Sequence, residues 1–156
     1  MGLSEREKQG CSKMKITKFR FPKYISEVGE LVALEALKDV PFKIKRIYYI
    51  YGVNEGVKRG LHAHKQLEQV LICIHGSCRI KLDNGKSKTD ILLDDSAEGL
   101  FIGNLIWREM YEFSRDAVLL VLASEYYDAE DYIYNYDEFL RHVKIEGKVR
   151  PGGLKF

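Results

Sequence analysis

Few cysteines, little net charge and short apolar runs are the first features of this sequence, and each shortage excludes a class of protein. Three cysteines among 156 residues, an odd number without close pairing, do not form a disulfide scaffold and fit a reducing cytoplasm. A formal net charge of +2 gives no reason to expect a nucleic-acid or membrane partner. No apolar run approaches the roughly 20 residues that a membrane-spanning helix needs.

The length of the chain suits one domain with its own hydrophobic core. We expect residues 1–14, which are polar, to be a disordered leader and residues 15–146 to be the folded domain. Residues 147–156 contain Pro151, Gly152 and Gly153 and are expected to be a flexible tail.

Short β-branched and apolar segments follow one another closely and are separated by Gly and Asn turns. Asp83-Asn84-Gly85 is a strong hairpin signal. The predicted strands are residues 31–34, 45–51, 67–74, 78–82, 89–93, 99–102, 106–113 and 117–123. Such a series favours an all-β sandwich, jelly roll or barrel. A helix is predicted over residues 128–143, with Tyr132, Tyr136, Phe139 and Leu140 on one face.

Two histidines in the segment Arg59–Lys65 are the strongest indication of function. Residues two apart in a strand point to the same side, so His62 and His64 are expected to project together. Two imidazoles inside a barrel are unfavourable unless they have partners or a function. The competing interpretation is a pair of solvated surface histidines.

The spacing of His62, His64 and Glu68 matches the first half of a cupin metal site. Such a site also needs a histidine from a later strand, and Arg108 stands at the matching position. Arginine is not a ligand and repels a nearby divalent cation. His75 and His142 fall at a turn and in the predicted helix, so neither replaces it. We therefore predict no metal and no other cofactor.

Without a metal, the two imidazoles are free for general acid–base catalysis near neutral pH. Arg59, Arg79, Lys81 and Arg108 are candidates to surround the same pocket and bind a diphosphate. For Arg79 and Lys81 the alternative is a solvated outer face. Tyr48 and Tyr49 point to opposite faces, so only one of these two phenols can enter the barrel.

Several motifs taken in order resemble the sugar 3,4-ketoisomerases that act on dTDP-4-keto-6-deoxy-D-glucose, over about residues 19–140. The matching segments are residues 59–65, 67–71, 76–77, 99–103, 107–110 and 122–128. The resemblance implies a cupin-type double-sheet jelly roll with a short C-terminal helix, a cytoplasmic homodimer, and no metal requirement. It places His62 and His64 in the active site and Tyr48 near the sugar.

The implied reaction moves a carbonyl from C4 to C3 through an enediol(ate), toward 3-amino-3,6-dideoxy sugars for glycans such as lipopolysaccharide. His62 is our first choice for the base, with His64 the close competitor; the other imidazole or Tyr48 would shuttle the second proton. The predicted substrate-binding residues are Arg59 and Arg108 on the diphosphate, helped by Arg79 or Lys81, with Trp107 or a tyrosine on thymine, and Gln69.

Three alternatives stay open at this point. They are a metal-dependent cupin enzyme, a dTDP-sugar 3- or 5-epimerase, and a sugar-nucleotide-binding domain without catalysis. The gluco or galacto configuration at C4 of the product is not determined by residue spacing.

Overall fold

The computed structural model describes residues 14–149, so residues 1–13 of the predicted leader and 150–156 of the predicted tail lie outside the described part. Twelve strands, one short 3-10 helix and one α-helix make up the described residues. The strands are β1 Thr17–Arg20, β2 Lys23–Ser26, β3 Gly29–Val32, β4 Arg46–Tyr51, β5 Arg59–His64, β6 Gln69–His75, β7 Cys78–Asp83, β8 Lys88–Leu93, β9 Glu98–Ile102, β10 Trp107–Tyr111, β11 Val118–Ala123 and β12 Tyr132–Ile133. The helices are the 3-10 turn Ala129–Asp131 and α1 Tyr136–Val149.

Two five-stranded antiparallel sheets form the body of the domain, with the strand orders β1-β9-β6-β11-β4 and β12-β5-β10-β7-β8. Strands β2 and β3 form a separate hairpin. The double-sheet, mostly β arrangement confirms the predicted fold class. Alternating side chains fill the space between the sheets: on β7, Cys78, Ile80 and Leu82 are buried in the central core. Burying these alternate apolar residues is what fixes the register of the strand.

Two further apolar clusters cover the outer faces of the sheets. Phe21, Val40 and Phe42 pack on Val70 and Ile72 of β6, on the side opposite the central core. On the other sheet, α1 packs Phe139 against Trp107 and Ile133. No helix in the described range has the length and apolar character needed to span a bilayer.

The C-terminal helix differs from its predicted bounds. It begins at Tyr136 rather than at residue 128, and it reaches Val149, within the predicted tail. Asn135 ends the extended segment because its side-chain oxygen accepts a hydrogen bond from the Glu138 backbone N–H at 2.9 Å, as an N-cap does. Tyr132, predicted on the helix, instead pairs with His64 as part of β12.

Candidate active site

The two histidines of β5 meet at their ring nitrogens. Nε2 of His62 lies 3.0 Å from Nε2 of His64, and the ring planes are almost perpendicular. Nδ1 of His62 contacts the carbonyl oxygen of Gly60. Gly60 has a φ of +91° at a bulge where the pairing of β5 with β10 shifts register. A bulge of this kind re-aims the neighbouring side chains, which here brings His62 over His64.

Asp131 anchors the second histidine from the other end of the chain. Its Oδ2 lies 3.0 Å from Nδ1 of His64. The carboxylate also accepts hydrogen bonds from the backbone N–H groups of Gln66 at 2.8 Å and Leu67 at 3.3 Å. His64 is fully buried, so this contact with Asp131 is shielded from water.

A buried polar chain lies between the sheets beside the histidines. Arg108 is fully buried and directly opposite His62 in the β5–β10 register. One arm of its guanidinium donates to Oε1 of Gln69 and the other to the carbonyl oxygen of Ile106. Gln69 in turn donates to the Tyr48 hydroxyl at 2.9 Å. Tyr48 is therefore the tyrosine that enters the barrel, whereas Tyr49 is exposed.

Burial and the Arg108 charge keep both imidazoles in their neutral form. Burial is the larger cause and Arg108 the second; together they lower the pKa of His62 from 6.5 to about 4 and that of His64 to about 2. A neutral imidazole still donates one N–H, so the contact of His64 with Asp131 does not require a charged histidine. Burial also lowers the pKa of Arg108 to about 10.

An open cavity of about 400 Å³ reaches His62 from the surface. Its walls are basic and aromatic: Arg46, Ile47, Tyr48, Ile50, Arg59, Gly60, His62, Met110, Tyr132 and Tyr134. Tyr132 packs against both imidazoles, with ring centroids 5.0 Å from His62 and 4.3 Å from His64. The cavity thus combines one neutral imidazole, three phenols and two arginines, which suits proton transfer on an anionic ligand.

Several predicted binding residues do not line this cavity. Arg79 and Lys81 project from the outer face of β7, where Arg79 pairs with Glu112 and Lys81 lies over the Tyr111 ring. Because side chains alternate along β7, Arg79 and Lys81 lie on the solvated outer face, which was the alternative interpretation of these two residues. Trp107 packs against Tyr136 and Phe139 of α1 and lines a different, smaller cavity with Lys81, so it does not face the His62 cavity. Arg108 and Gln69 are buried behind the cavity wall and bind each other.

The donor set does not fit a metal. Among residues 14–149, no three His, Cys, Asp or Glu side chains are grouped so that they could hold an ion. A third ligand would have to come from the position on β10 opposite His62, and Arg108 occupies that position.

Four cavity or network residues were missed from the sequence: Arg46, Asp131, Tyr132 and Tyr134. Asp131 and Tyr132 were placed on the wrong element by the predicted helix. The alternation Tyr132-Ile133-Tyr134, followed by Asn135 as a cap, is the signal that indicates a short strand and a later helix start. Arg46 shares the inward face of β4 with Tyr48, with its guanidinium 5.4 Å from that ring centre.

Comparison with known proteins gives a consistent set of relatives. The family model FdtA, described as "WxcM-like, C-terminal", matches residues 13–144. A curated protein from Aneurinibacillus thermoaerophilus, named TDP-4-oxo-6-deoxy-alpha-D-glucose-3,4-oxoisomerase, is 51% identical over 123 residues, which are 79% of this chain and 88% of the relative.

Solved structures agree with this. A 3,4-ketoisomerase from Helicobacter canadensis is 51% identical, with a TM-score of 0.81 over 84% of this chain and 98% of that one. A histidine-to-asparagine variant of the 3,4-ketoisomerase QdtA from Thermoanaerobacterium thermosaccharolyticum, solved with TDP-4-keto-6-deoxyglucose, is 44% identical, with a TM-score of 0.81 over 88% of this chain and 97% of that one. Two sugar epimerases are 15% and 14% identical, a likeness that shows the fold alone.

Proposed function

Since the chain belongs to the FdtA family of TDP-sugar 3,4-ketoisomerases, we propose that it moves the carbonyl group of TDP-4-keto-6-deoxyglucose from C4 to C3. The enzyme is an isomerase, and its chemistry needs an acid–base group beside the sugar. The observation that carries the proposal is the neutral His62–His64 pair at the end of a basic cavity.

The reaction moves one proton off C3, one proton onto C4 and one proton from O3 to O4, with no change in overall oxidation state. The C4 ketone acidifies the C3–H bond; a base takes that proton, and the bonding electrons form the C3=C4 bond of an enediolate. A proton then adds to C4, the O3 hydroxyl loses its proton toward O4, and the carbonyl settles at C3. His62 lines the cavity and is the imidazole that contacts the sugar, while Tyr48 donates to the enediolate oxygen.

The diphosphate is bound by the two arginines of the cavity wall. Arg46 and Arg59 both line it, and guanidinium groups bind phosphate oxygens in pairs of hydrogen bonds. Nε of Arg46 is buried without a protein partner, so it has an unused donor. Tyr132 and Tyr134, stacked 5.4 Å apart at the cavity, offer the aromatic surface for the thymine base that Trp107 does not.

A homodimer is part of the proposal. The outer face of β4 exposes Ile47, Tyr49 and Tyr51, and the β2–β3 hairpin exposes Ile25 and Leu31. Exposed apolar side chains grouped in this way are typical of protein interfaces. Sedimentation equilibrium should give twice the 18.1 kDa of the chain, and Tyr49→Lys should lower that mass. A wild-type mass of one chain at micromolar concentration would contradict the dimer.

A cytoplasmic location is also proposed. Cys73 and Cys78 are buried as free thiols in the described part of the chain, which fits a reducing compartment. Cell fractionation checks this, and recovery of the protein with periplasmic markers would contradict it.

The reaction is tested by incubating the protein with TDP-4-keto-6-deoxyglucose in deuterated water and following it by proton NMR. We expect a 3-keto product with solvent deuterium at C4, and exchange of the C3 proton in the recovered 4-keto substrate. His62→Asn should abolish exchange of the C3 proton while TDP still binds. His142→Asn, on α1 and outside the cavity, is the matched control and should react at the wild-type rate. An unchanged exchange rate in His62→Asn would show that His62 is not the base, and a C5-inverted product would indicate an epimerase instead.

A further inference from the structure

The contacts of the histidine pair define where its protons are. A carbonyl oxygen only accepts hydrogen bonds, so the contact with Gly60 requires an N–H at Nδ1 of His62. Asp131 accepts two backbone N–H groups and is therefore a carboxylate acceptor, which requires an N–H at Nδ1 of His64. Each neutral imidazole has one N–H, so both Nε2 atoms carry lone pairs.

These two lone pairs face each other across 3.0 Å, a hydrogen-bond distance with no proton to fill it when both rings are neutral. One added proton would turn this repulsive contact into an Nε2–H···Nε2 hydrogen bond shared by the two rings. The pair is thus built to accept one proton, and it is open to the cavity on the His62 side.

We propose that Asp131 is a positioning residue that fixes the tautomer of His64, and that His62 and His64 thereby take up the substrate C3 proton as one unit between their Nε2 atoms. This inference rests on the proposed ketoisomerase function. The C–H electron pair stays with the sugar as the C3=C4 bond, and the proton enters the gap, where it can exchange with solvent through the open His62 side. The protonated pair then donates a proton to C4.

Replacing Asp131 with asparagine tests this directly. Either orientation of the amide sets its NH₂ against one backbone N–H. We expect the amide oxygen to keep the shorter hydrogen bond from Gln66, at 2.8 Å, and the longer one from Leu67, at 3.3 Å, to be lost. Its NH₂ then faces Nδ1 of His64 and donates to it. The His64 proton then moves to Nε2 and forms the hydrogen bond between the two Nε2 atoms. The pair therefore has no free position for the C3 proton when the substrate binds. In a serine-protease triad a change of tautomer of this kind lowers kcat about 10⁴-fold.

The experiment measures tautomers by ¹⁵N NMR of labelled histidine and C3 proton exchange by proton NMR. The wild type should show a proton on Nδ1 and none on Nε2 in both His62 and His64. Asp131→Asn should reverse the tautomer of His64 and slow C3 proton exchange by about 10³ to 10⁴-fold, with TDP binding retained. Asp128→Asn is the matched control, because this exposed residue caps the 3-10 turn and asparagine caps equally well; it should change neither readout.

The outcomes separate the two claims. A wild-type His64 with its proton on Nε2 would overturn the inference whatever the activity, and it needs no folded variant. Normal exchange in an Asp131→Asn protein whose His64 tautomer has reversed would overturn it as well. Absence of exchange in the wild type would instead refute the proposed reaction and leave the tautomer result standing.

Discussion

Replacement of Arg108 with methionine should shift the acid limb of the pH–rate profile to higher pH. The guanidinium is buried opposite His62 and disfavours a second positive charge there. The pKa of His62 is lowered from 6.5 to about 4, a difference of about 2.5, and Arg108 is the second cause after burial. The charge therefore accounts for less than half of the lowering, and its removal should raise the pKa by about 1.

The assay is kcat/KM for ketoisomerisation between pH 4.5 and 8. With a pKa of about 4, the wild type should keep about nine tenths of its plateau at pH 5, whereas Arg108→Met should keep about half. Arg79→Met, on the outer face of β7, is the matched control and should leave the profile unchanged. An acid limb that stays in place in Arg108→Met, in protein shown by circular dichroism to be folded at each pH, would refute the electrostatic reasoning.

The lowered pKa of His62 also determines whether the free energy of unfolding rises or falls with pH. Because the folded pKa lies below the unfolded value of 6.5, the unfolded chain binds more protons between pH 6.5 and about 4. The free energy of unfolding should fall as the pH drops through that window. The fall should be smaller in Arg108→Met, because its histidines protonate more easily in the folded state.

Two other changes test the cavity and the packing of α1. Arg46→Ala and Arg59→Ala should each weaken TDP binding about 10-fold or more in calorimetry, because each removes a charged hydrogen-bond donor to phosphate. Lys81→Ala is the control and should leave binding unchanged. Equal losses of affinity in all three variants would contradict the assignment of the cavity wall. Phe139→Ala, at a fully buried position, should lower the free energy of unfolding by about 3 to 5 kcal/mol in urea; a loss no larger than that of the exposed Tyr126→Ala would show that α1 is not packed on Trp107.

Local pattern was sufficient to predict β4, the series β6 to β11 and the histidine pair on a strand, but not β1, β2 or β12. Alternation predicts His62 and His64 on one face, and in the structure Arg108 lies opposite His62 in the β5–β10 register. The same alternation puts Arg79 and Lys81 outside, but whether an outer face meets a ligand depends on which elements cover it. That is a tertiary property, so the sequence left both positions open.

The missed residues depend on long-range pairing. Asp131 lies 67 positions from His64 along the chain, and no local spacing links them. The burial of Trp107 similarly depends on where α1 packs, and the predicted helix start was eight residues too early. A tyrosine on an amphipathic segment can pack in a core, line a cavity or face solvent. Which of these it does is known only when the surface that packs against the segment is known.

The late position of Asp131 and Tyr132 has a consequence for biosynthesis. Strands β4 to β11 contain the histidines, Tyr48 and Arg108, so both sheets can pair while the last residues are still being synthesised. The anchor of His64 and the aromatic wall of the cavity are supplied only afterwards, by the segment that adds β12 to the edge of β5. A nascent chain whose residues 128–136 have not yet left the ribosome would therefore have no completed proton-transfer site, however far the two sheets have paired.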